Sequence, residues 1–401
     1  MGGAEMSEWK KVKLGELYEV HNGLSKGRQF FGSGYPFLTF STVFNNWFLP
    51  KKLDSLVQSS EKEREACSIR KGDVFITRTS ETMDELGMSS VALRDYPDAT
   101  YNGFTKRLRP KTNDVNPEYI GYYLRSPKFR GKFMAFSTMT TRASLANGDL
   151  LGMEVELPSK EEQHRIASIL SRYDSLIENY QKQIKLLEEA AQRLYKEWFV
   201  DLHFPGHENT KIADGVPEGW EKKKLVEIAE IVMGQSPKSE YYNNEFKGLP
   251  FHQGVGSYGN RFVVDNIYST SFTRIAEPYS VLFSVRAPVG RLNITKNKVV
   301  IGRGLAAMTH KKGYQSYLFY LLKERFFKDN LIGNGAIFAS ISKNELHKLD
   351  FTTPTDDLAI QFNTIAGNLD DEIMKADSQI CLLTEARDRL LPKLMSGEIL
   401  V

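Results

Sequence analysis

The stretch Trp9-Lys-Lys-Val-Lys-Leu-Gly-Glu-Leu17 recurs as Trp220-Glu-Lys-Lys-Lys-Leu-Val-Glu-Ile228, and Gly23 recurs as Gly234, all 211 positions later. A second match, 196 positions apart, closes the repeat: Ile184, Leu187, Glu189, Arg193 and Leu194 return as Ile380, Leu383, Glu385, Arg389 and Leu390. A unit of about two hundred residues is far longer than the repeats of solenoid proteins. The sequence therefore predicts a duplicated module, in which a globular lobe is followed by a long helix.

The length of the chain and the position of the repeat divide it into four parts. At 401 residues it can hold two or three domains, each with its own core. We place a first lobe at residues 1–157 and a first long helix at 158–205, then a second lobe at 206–355 and a second long helix at 356–401. This order predicts two similar globules that contact an extended partner in two places.

Composition favours an intracellular protein. No apolar stretch approaches the roughly 20 residues of a membrane-spanning helix, and residues 1–13 are too polar for a signal peptide. Cys67 and Cys381 lie in different modules without metal-ligand spacing, so we expect them to be reduced. These features predict a cytoplasmic chain that binds no metal.

Both long helices carry an apolar stripe that recurs every three and four residues, which is typical of a coiled coil. In the first helix the stripe comprises Ile166, Leu170, Tyr173, Ile177, Tyr180, Ile184, Leu187, Ala191, Leu194 and Trp198. In the second it is weaker and comprises Ile365, Leu369, Ile373, Ala376, Ile380, Leu383, Leu390 and Leu394, with Arg387 at one position of the stripe. One helix cannot bury its stripe alone, so we predict an antiparallel pair within one chain. The alternative is a coiled coil between two copies of the chain.

The lobes combine strands with short helices. Residues 68–78 and 279–286 have the pattern of a turn followed by a strand, and each strand ends in an arginine, Arg78 or Arg286. Residues 119–124 and 317–322 are expected to be short helices. The predicted fold class is therefore mixed α+β (α/β), with two pseudo-repeated lobes separated by two long antiparallel helices that form an intramolecular coiled coil. We expect the two arginines to occupy equivalent places.

The net charge of each part indicates what it contacts. The lobes carry formal charges of +3 and +6, whereas the helical parts carry −1 and −5. Basic lobes favour a polyanionic partner such as nucleic acid, while acidic helices are poorly suited to lie along phosphates. Charges of this size also occur on ordinary surfaces, so they support the hypothesis without deciding it.

Polar loops supply the candidate DNA-binding residues. Arginine can bind guanine through two hydrogen bonds and asparagine or glutamine can bind adenine in the same way, while lysine and small polar groups contact phosphates. Any one such loop can be an ordinary surface turn, but similar loops recur in both lobes. The candidates are Lys26, Arg28, Gln29, Arg78, Thr79, Asn102, Lys106, Arg107 and Arg142 in the first lobe, and Gln235, Lys238, His252, Gln253, Arg286, Arg291, Arg303 and Asn334 in the second.

Familiar catalytic motifs are not supported. Residues 254–259 spell G-x-G-x-x-G, but a strand-like stretch follows where a dinucleotide site needs a helix. His203 and His207 have ligand spacing without a third ligand nearby. The sequence has no phosphate-binding P-loop, no Asp/Asn-Pro-Pro-aromatic motif of amino methylation and no convincing nuclease carboxylate cluster.

Two segments resemble a known family. Gln192-Arg-Leu-Tyr-Lys-Glu-Trp-Phe-Val-Asp-Leu-His-Phe-Pro205, followed by Gly215-Val-Pro-Glu-Gly-Trp220, is similar to the central conserved region of specificity subunits of type I restriction-modification systems. Arg389-Leu-Leu-Pro-Lys-Leu-Met-Ser-Gly-Glu-Ile399 resembles the C-terminal region of that family. The order of lobe and helix extends the resemblance over nearly the whole chain, and the lobes would be target recognition domains.

The resemblance implies a non-catalytic subunit that binds a bipartite site on double-stranded DNA, one lobe to each half, with the helices fixing the spacer. It also implies modification subunits that dock on the helices and resemble adenine-N6 methyltransferases, and ATP-dependent restriction subunits that the complex recruits. No cofactor is then expected on this chain, since S-adenosylmethionine, ATP and Mg²⁺ belong to those partners. Two alternatives remain open: a coiled-coil scaffold whose basic lobes bind proteins, and a DNA enzyme with an atypical catalytic motif.

Overall fold

The chain folds into two compact units that share two long helices. The computed structural model describes residues 9–80, 85–136, 143–144, 146–326 and 340–401. Unit 1 comprises Met1–Asn179 and Gln379–Val401, and unit 2 comprises Tyr180–Ser378. The long helices are α7 (Lys160–Phe199) and α11 (Asp356–Ser396). Each unit therefore contains one lobe and one segment of each long helix.

The lobe of unit 1 is built on two sheets. Its strands are β1 (Lys10–Lys13), β2 (Tyr18–Asn22), β3 (Phe31–Leu38), β4 (Leu56–Val57), β5 (Val74–Thr77), β6 (Thr79–Ser80), β7 (Ser89–Val91), β8 (Thr100–Tyr101), β9 (Thr105–Pro110), β10 (Ala143–Ser144) and β11 (Glu154–Leu157). Its helices are α1 (Leu14–Leu17), α2 (Phe40–Asn45), α3 (Glu61–Ala66), α4 (Pro117–Arg125), α5 (Pro127–Phe136) and α6 (Asn147–Gly152). The larger sheet is antiparallel in the order β2-β9-β5-β7, and the smaller has the order β4-β3-β8.

Helix α4 follows from local sequence. The side chain of Asn116 accepts hydrogen bonds from the backbone N–H groups of Glu118 and Tyr119, at 2.8 and 3.1 Å, and so caps the helix. Pro117 occupies the first turn, where a missing N–H costs nothing. The helix buries Tyr119 and Tyr122 in the core of unit 1. The predicted helices at 119–124 and 317–322 are both confirmed.

The lobe of unit 2 repeats this plan. Its strands are β12 (Ile212–Ala213), β13 (Val216–Pro217), β14 (Glu221–Lys224), β15 (Ala229–Met233), β16 (Tyr242–Asn243), β17 (Leu249–His252), β18 (Tyr268–Ser269), β19 (Ile275–Ala276), β20 (Val281–Ser284), β21 (Leu292–Ile294), β22 (Val299–Ile301), β23 (Leu305–His310) and β24 (Asp350–Thr353). Its helices are α8 (Leu225–Ile228), α9 (Gln315–Phe326) and α10 (Lys343–His347). The two sheets have the orders β15-β23-β20-β21 and β16-β18-β17-β22-β19.

The strand pairings make the two lobes directly comparable. The sheet β2-β9-β5-β7 corresponds strand by strand to β15-β23-β20-β21. In the other sheet of each lobe, β3 pairs in parallel with β8, and β17 pairs in parallel with β22. An antiparallel pair closes each lobe, β1 with β11 in unit 1 and β14 with β24 in unit 2. The duplicated sequence therefore encodes a duplicated mixed α+β lobe.

The long helices pair within the chain. In unit 1, Ile166 and Leu170 of α7 share the core with Leu391 and Leu394 of α11. In unit 2, Ile184, Leu187 and Leu194 of α7 pack in one cluster with Leu369 and Ile373 of α11. The start of α7 thus meets the end of α11, and the end of α7 meets the start of α11, which is the predicted antiparallel order.

The stripe is not one uniform seam. Ile166 and Leu170 are fully buried in the core of lobe 1, whereas Ile380, Leu383 and Leu390 are only half-buried. The prediction was wrong for Ile365, whose surface is 44% exposed. Phe362 and Ala366 are buried beside it instead, because the start of α11 packs on the lobe of unit 2.

Candidate nucleic-acid interface

Three polar segments that are distant in sequence meet at one edge of lobe 1. The N–H of Leu24 donates to the carbonyl of Tyr101 at 2.8 Å, and the N–H of Gly103 donates to the carbonyl of Leu24 at 2.9 Å. The N–H of Arg78 donates to the carbonyl of Phe104 at 3.0 Å. The loop after β2, the end of β5 and the loop before β9 therefore form one surface, which we call junction 1.

Two glycines allow this close approach. A Cβ atom on Gly23 would lie 2.2 Å from the carbonyl oxygen of Asn102, and a Cβ on Gly103 would lie 2.2 Å from the Oγ of Ser25. Both distances are far inside van der Waals contact. The recurrence of Gly23 as Gly234 has the same reason, since a Cβ there would lie 2.1 Å from the carbonyl oxygen of Gly302.

Junction 1 displays a mixture of cations, amides and aromatic rings. Lys26 is held by Glu63 at 2.8 Å and by the carbonyl of Gln58 at 2.9 Å. The hydrogen bond from Lys26, together with the one from the backbone of Ser60, lowers the pKa of Glu63 to about 2. The exposed side chains nearby are Arg28, Gln29, Phe30, Phe31 and Phe104.

Two candidates in lobe 1 have structural roles instead. Arg107 is 2% exposed, and its guanidinium donates to the carbonyls of Ala66 and Ser68. Lys106 is also buried and donates to the side chain of Asn147, and burial followed by the charge of Arg78 lowers its pKa. We therefore do not retain Arg107 and Lys106 as DNA contacts, because their polar groups are directed into the protein.

The remaining candidates of lobe 1 differ in position. Arg78 is half-buried, with Nη1 3.5 Å from the carbonyl oxygen of Gly103, and Asn102 is half-buried within junction 1. The backbone of Thr79 pairs with Ser144. Arg142 lies outside the described residues.

An equivalent surface, junction 2, lies at the same edge of lobe 2. The N–H of Gln235 donates to the carbonyl of Ile301 at 3.0 Å, as that of Leu24 does to Tyr101 in lobe 1. The N–H of Val285 donates to the carbonyl of Gly304 at 2.9 Å, as that of Arg78 does to Phe104. The duplication therefore preserves the backbone of the junction while its side chains differ.

Junction 2 is organised around Gln253. The carbonyl of Gln253 accepts from the N–H of Gly304 at 3.1 Å, and its Oε1 lies 3.0 Å from the Oγ of Ser236. The N–H of Arg303 donates to the same Ser236 hydroxyl at 3.2 Å. The exposed candidates in lobe 2 are Gln235, Lys238, Gln253, Arg286, Arg291 and Arg303, and Asn334 lies outside the described residues.

His252 supports this loop from inside. Its side chain is fully buried, with Nδ1 2.8 Å from the Oγ of Ser257 and Nε2 3.0 Å from Oδ1 of Asp265. Both ring nitrogens are therefore used within the lobe. We assign His252 to positioning its neighbour Gln253, and do not retain it as a DNA contact.

The two strand-end arginines are not equivalent. Thr77 pairs with Thr105 in unit 1, and Ser284 pairs with Leu305 in unit 2, so Arg78 corresponds to Val285. Arg286 corresponds instead to Thr79. Because successive strand residues point to opposite faces, a shift of one position reverses the direction of the side chain. The prediction of equivalence was therefore wrong.

The candidate residues chosen from the sequence leave out the aromatic side of junction 1. Phe104 is 62% exposed at the tip of the loop before β9, where lobe 2 has Gly304. The available signal was a large apolar residue directly after Gly103 in an otherwise polar loop. Ser236 is also absent from those candidates, although it lies between Gln235 and Lys238, which are among them.

Other classes of site find no support in the described part of the chain. No group of three or more His, Cys, Asp or Glu side chains there could hold a metal ion, and His203 instead pairs with Glu197. No helix in the described ranges combines the length and apolar character needed to cross a membrane.

Comparison with known proteins gives the family. Residues 6–189 and 217–371 match the type I restriction modification DNA specificity domain. The type I restriction enzyme MjaIX specificity subunit of Methanocaldococcus jannaschii is 28% identical over 423 residues, which cover 98% of this chain and 94% of that protein. The HindI specificity subunit of Haemophilus influenzae is 23% identical over 472 residues, which cover 98% of this chain and 100% of that one.

A solved structure shares the fold. The crystal structure of the S subunit of a type I restriction-modification system from M. genitalium superposes with a TM-score of 0.59 and 17% sequence identity, over 96% of each chain. The two segments that match the family extend over most of the chain and include both junctions. The chain therefore belongs to the type I restriction-modification DNA specificity family, whose members supply sequence recognition and not catalysis.

Proposed function

We propose that this chain reads a bipartite site on double-stranded DNA, with junction 1 contacting one half and junction 2 the other. The observation that carries the proposal is the pair of junctions: two of the three backbone hydrogen bonds of junction 1 recur at the equivalent edge of lobe 2. Each junction displays exposed guanidinium and amide groups, which are the groups that read base edges.

The side chains assign different tasks within each junction. Gln29 and Gln253 are exposed amides suited to adenine, and Arg28 and Arg303 are exposed guanidiniums suited to guanine or phosphate. The two lobes share backbone geometry but present different side chains. Two different half-sites follow from this difference.

The long helices act as a spacer and as a docking surface for other subunits. Their paired segments fix the spacer between the half-sites and dock modification subunits that resemble adenine-N6 methyltransferases, and the complex then recruits ATP-dependent restriction subunits. The acidic charge of the helical parts supports a protein partner there, because phosphates would be repelled. S-adenosylmethionine, ATP and Mg²⁺ bind to those partner subunits.

Selection from a random DNA pool tests the proposal. The chain is incubated with its methyltransferase subunits, and the bound DNA is sequenced. We expect two short conserved blocks separated by a spacer of fixed length. Gln29→Ala should relax one block and Gln253→Ala the other, each with a cost of about 1–3 kcal/mol at one position.

Lys71→Ala is the matched control. Lys71 is exposed and precedes β5, at the end of the strand opposite to Arg78. Its removal should leave both blocks unchanged. A pool that shows no sequence preference with the partner present would refute the proposal, and a change in both blocks from either glutamine variant would refute the assignment of one lobe to each half.

A further inference from the structure

Each unit contains the same partly buried contact between a lobe and a long helix. In unit 1 the hydroxyl of Tyr122 in α4 donates to Asp174 of α7, and in unit 2 the hydroxyl of Tyr320 in α9 donates to Asp370 of α11 at 3.0 Å. The two aspartates are 196 positions apart, which is the spacing of the helix repeat. The contact is therefore part of the duplication.

In unit 1 a helix supplies the cation for this aspartate. Nη1 of Arg387 in α11 donates to Oδ1 of Asp174 at 2.6 Å. The guanidinium lies 5.1 Å from the ring centroid of Trp47 in the lobe, and that ring lies 5.7 Å from the ring of Tyr122. An aromatic face of the lobe thus covers a cation of the helix.

In unit 2 the lobe supplies the cation. Arg261 is 4% exposed and donates to Asp370 of α11 and to Glu188 of α7, the latter at 3.2 Å. Burial acts to lower the pKa of Arg261, but the combined effect of Asp370, Tyr320 and Glu188 raises it. The guanidinium is therefore charged and joins the lobe to both long helices.

The guanidinium is on the helix in unit 1 and on the lobe in unit 2, at positions that are equivalent in the repeat. The N–H of Val91 donates to the carbonyl of Trp47 at 3.1 Å, and the N–H of Ile294 donates to that of Arg261 at 2.9 Å. Since β7 and β21 are equivalent strands, Trp47 and Arg261 occupy the same place in their lobes. On the helices, the residue 196 positions before Arg387 is the buried Ala191.

A lobe from one unit therefore does not fit the helices of the other. Lobe 2 on the helix segments of unit 1 would bring two guanidiniums, those of Arg261 and Arg387, to one aspartate. Lobe 1 on the helix segments of unit 2 would bring Trp47 against Ala191 and leave Asp370 without its cation. Burial of a charged group without a partner is strongly destabilising.

We propose that this exchange of one guanidinium between lobe and helix is a matching contact that ties each lobe to its own helix segments. In the native pairing, Asp174 and Asp370 each contact one of these two guanidiniums. This inference goes beyond the proposed function, because the matching contact acts whether or not the chain binds DNA.

The first experiment is a cycle of substitutions in the full chain, followed by calorimetry. Arg261→Trp should lower the melting temperature of unit 2 by about 10 °C, because Asp370 and Glu188 lose their shared cation. Ala191→Arg should lower it as well, because a second guanidinium must enter the place of a fully buried alanine beside Arg261. The double variant moves the guanidinium from the lobe to the helix, as in unit 1, and should recover at least half of the larger loss. Losses that simply add would overturn the proposal.

The reciprocal cycle covers the case in which Arg261→Trp does not fold. Trp47→Arg and Arg387→Ala, alone and together, should give the same pattern in unit 1. Hydrogen exchange of α4 and α9 locates each effect, since only the helix of the altered unit should lose protection. Loss of protection in the corresponding helix of the other unit would contradict the proposal that the contact acts locally.

The second experiment moves a whole lobe. In a chimera, residues 221–353 replace residues 10–157, so that both lobes are lobe 2. Arg387→Ala should destabilise the parent chain but raise the melting temperature of the chimera, because it removes the second guanidinium beside Asp174. Equal destabilisation of parent and chimera would show that Arg387 has no matching role.

Discussion

At the scale of single residues, burial decides which polar groups remain free to act. His310 is mostly buried at the end of β23, and its Nδ1 accepts from the N–H groups of Lys312 and Tyr314 at 3.1 and 3.3 Å. A ring nitrogen that accepts two hydrogen bonds must be unprotonated. Burial, with a smaller effect of Lys312, accordingly lowers the pKa of His310 to about 4.

The depressed pKa predicts acid sensitivity in unit 2. The pKa in the folded state lies below the ordinary value of 6.5, so the stabilisation from the neutral ring is complete above about pH 6.5 and is lost as the pH falls through about 4. His310→Gln should flatten the pH dependence of unfolding in this window, whereas His164→Gln, at an exposed position of α7, should not.

The exposed ring of Phe104 gives a second prediction at this scale. An apolar ring that packs on little in the free protein can insert between base steps or stack on a base. Phe104→Ala should weaken DNA binding by about 1–3 kcal/mol with little change in melting temperature. Phe104→Leu, which keeps apolar volume without a flat ring, separates stacking from simple contact. Full affinity in both variants would exclude the ring from the interface.

At the scale of elements, α7 and α11 each serve two purposes. Their ends complete the cores of the lobes, through Ile166 and Leu170 in unit 1 and through Phe362 and Ala366 in unit 2. Other positions of the stripe pair the helices with each other. One apolar pattern in the sequence therefore includes residues that pack on the lobes and residues that pack between the helices.

Two positions of the predicted stripe should contribute differently to the free energy of unfolding. Leu170 is fully buried, so Leu170→Ala should lower the free energy of unfolding by about 2–5 kcal/mol. Ile365 is 44% exposed, so Ile365→Ala should change it by less than about 0.5 kcal/mol. Denaturant titration of both variants tests this, and similar losses would mean that the stripe is one continuous seam.

At the scale of the whole molecule, charge is divided between the lobes and the helical parts. The lobes are basic and the helical parts acidic, although the chain as a whole carries only +3. This division predicts a strong salt dependence of DNA binding. With about six phosphate contacts, affinity should fall roughly 10³-fold between 50 and 200 mM salt.

Single substitutions show whether a given residue contacts a phosphate or a base. Removal of a phosphate contact by Arg303→Ala should reduce the salt slope by about one and weaken all sequences alike. A base contact at the same residue would instead alter preference at one position. Titrations of two DNA sequences at several salt concentrations separate these outcomes, and an unchanged slope and preference would remove Arg303 from the interface.

The sequence by itself determined the duplication, the two long helices, the mixed lobes and the family. These features depend on local periodicity or on a repeat within one chain, and both can be read without coordinates. It also placed the polar loops, and the structure adds that Gly23 and Gly234 lie where two backbones approach closely.

Only the tertiary structure decided which residues of those loops are free. Arg107 and His252 look like surface groups in sequence but are buried, since their partners lie on other segments. The one-residue shift between Arg78 and Arg286 depends on strand register, which spacing in sequence does not fix. The contacts of Arg387 with Asp174 and of Arg261 with Asp370 join residues more than a hundred positions apart, and folding alone brings such residues together.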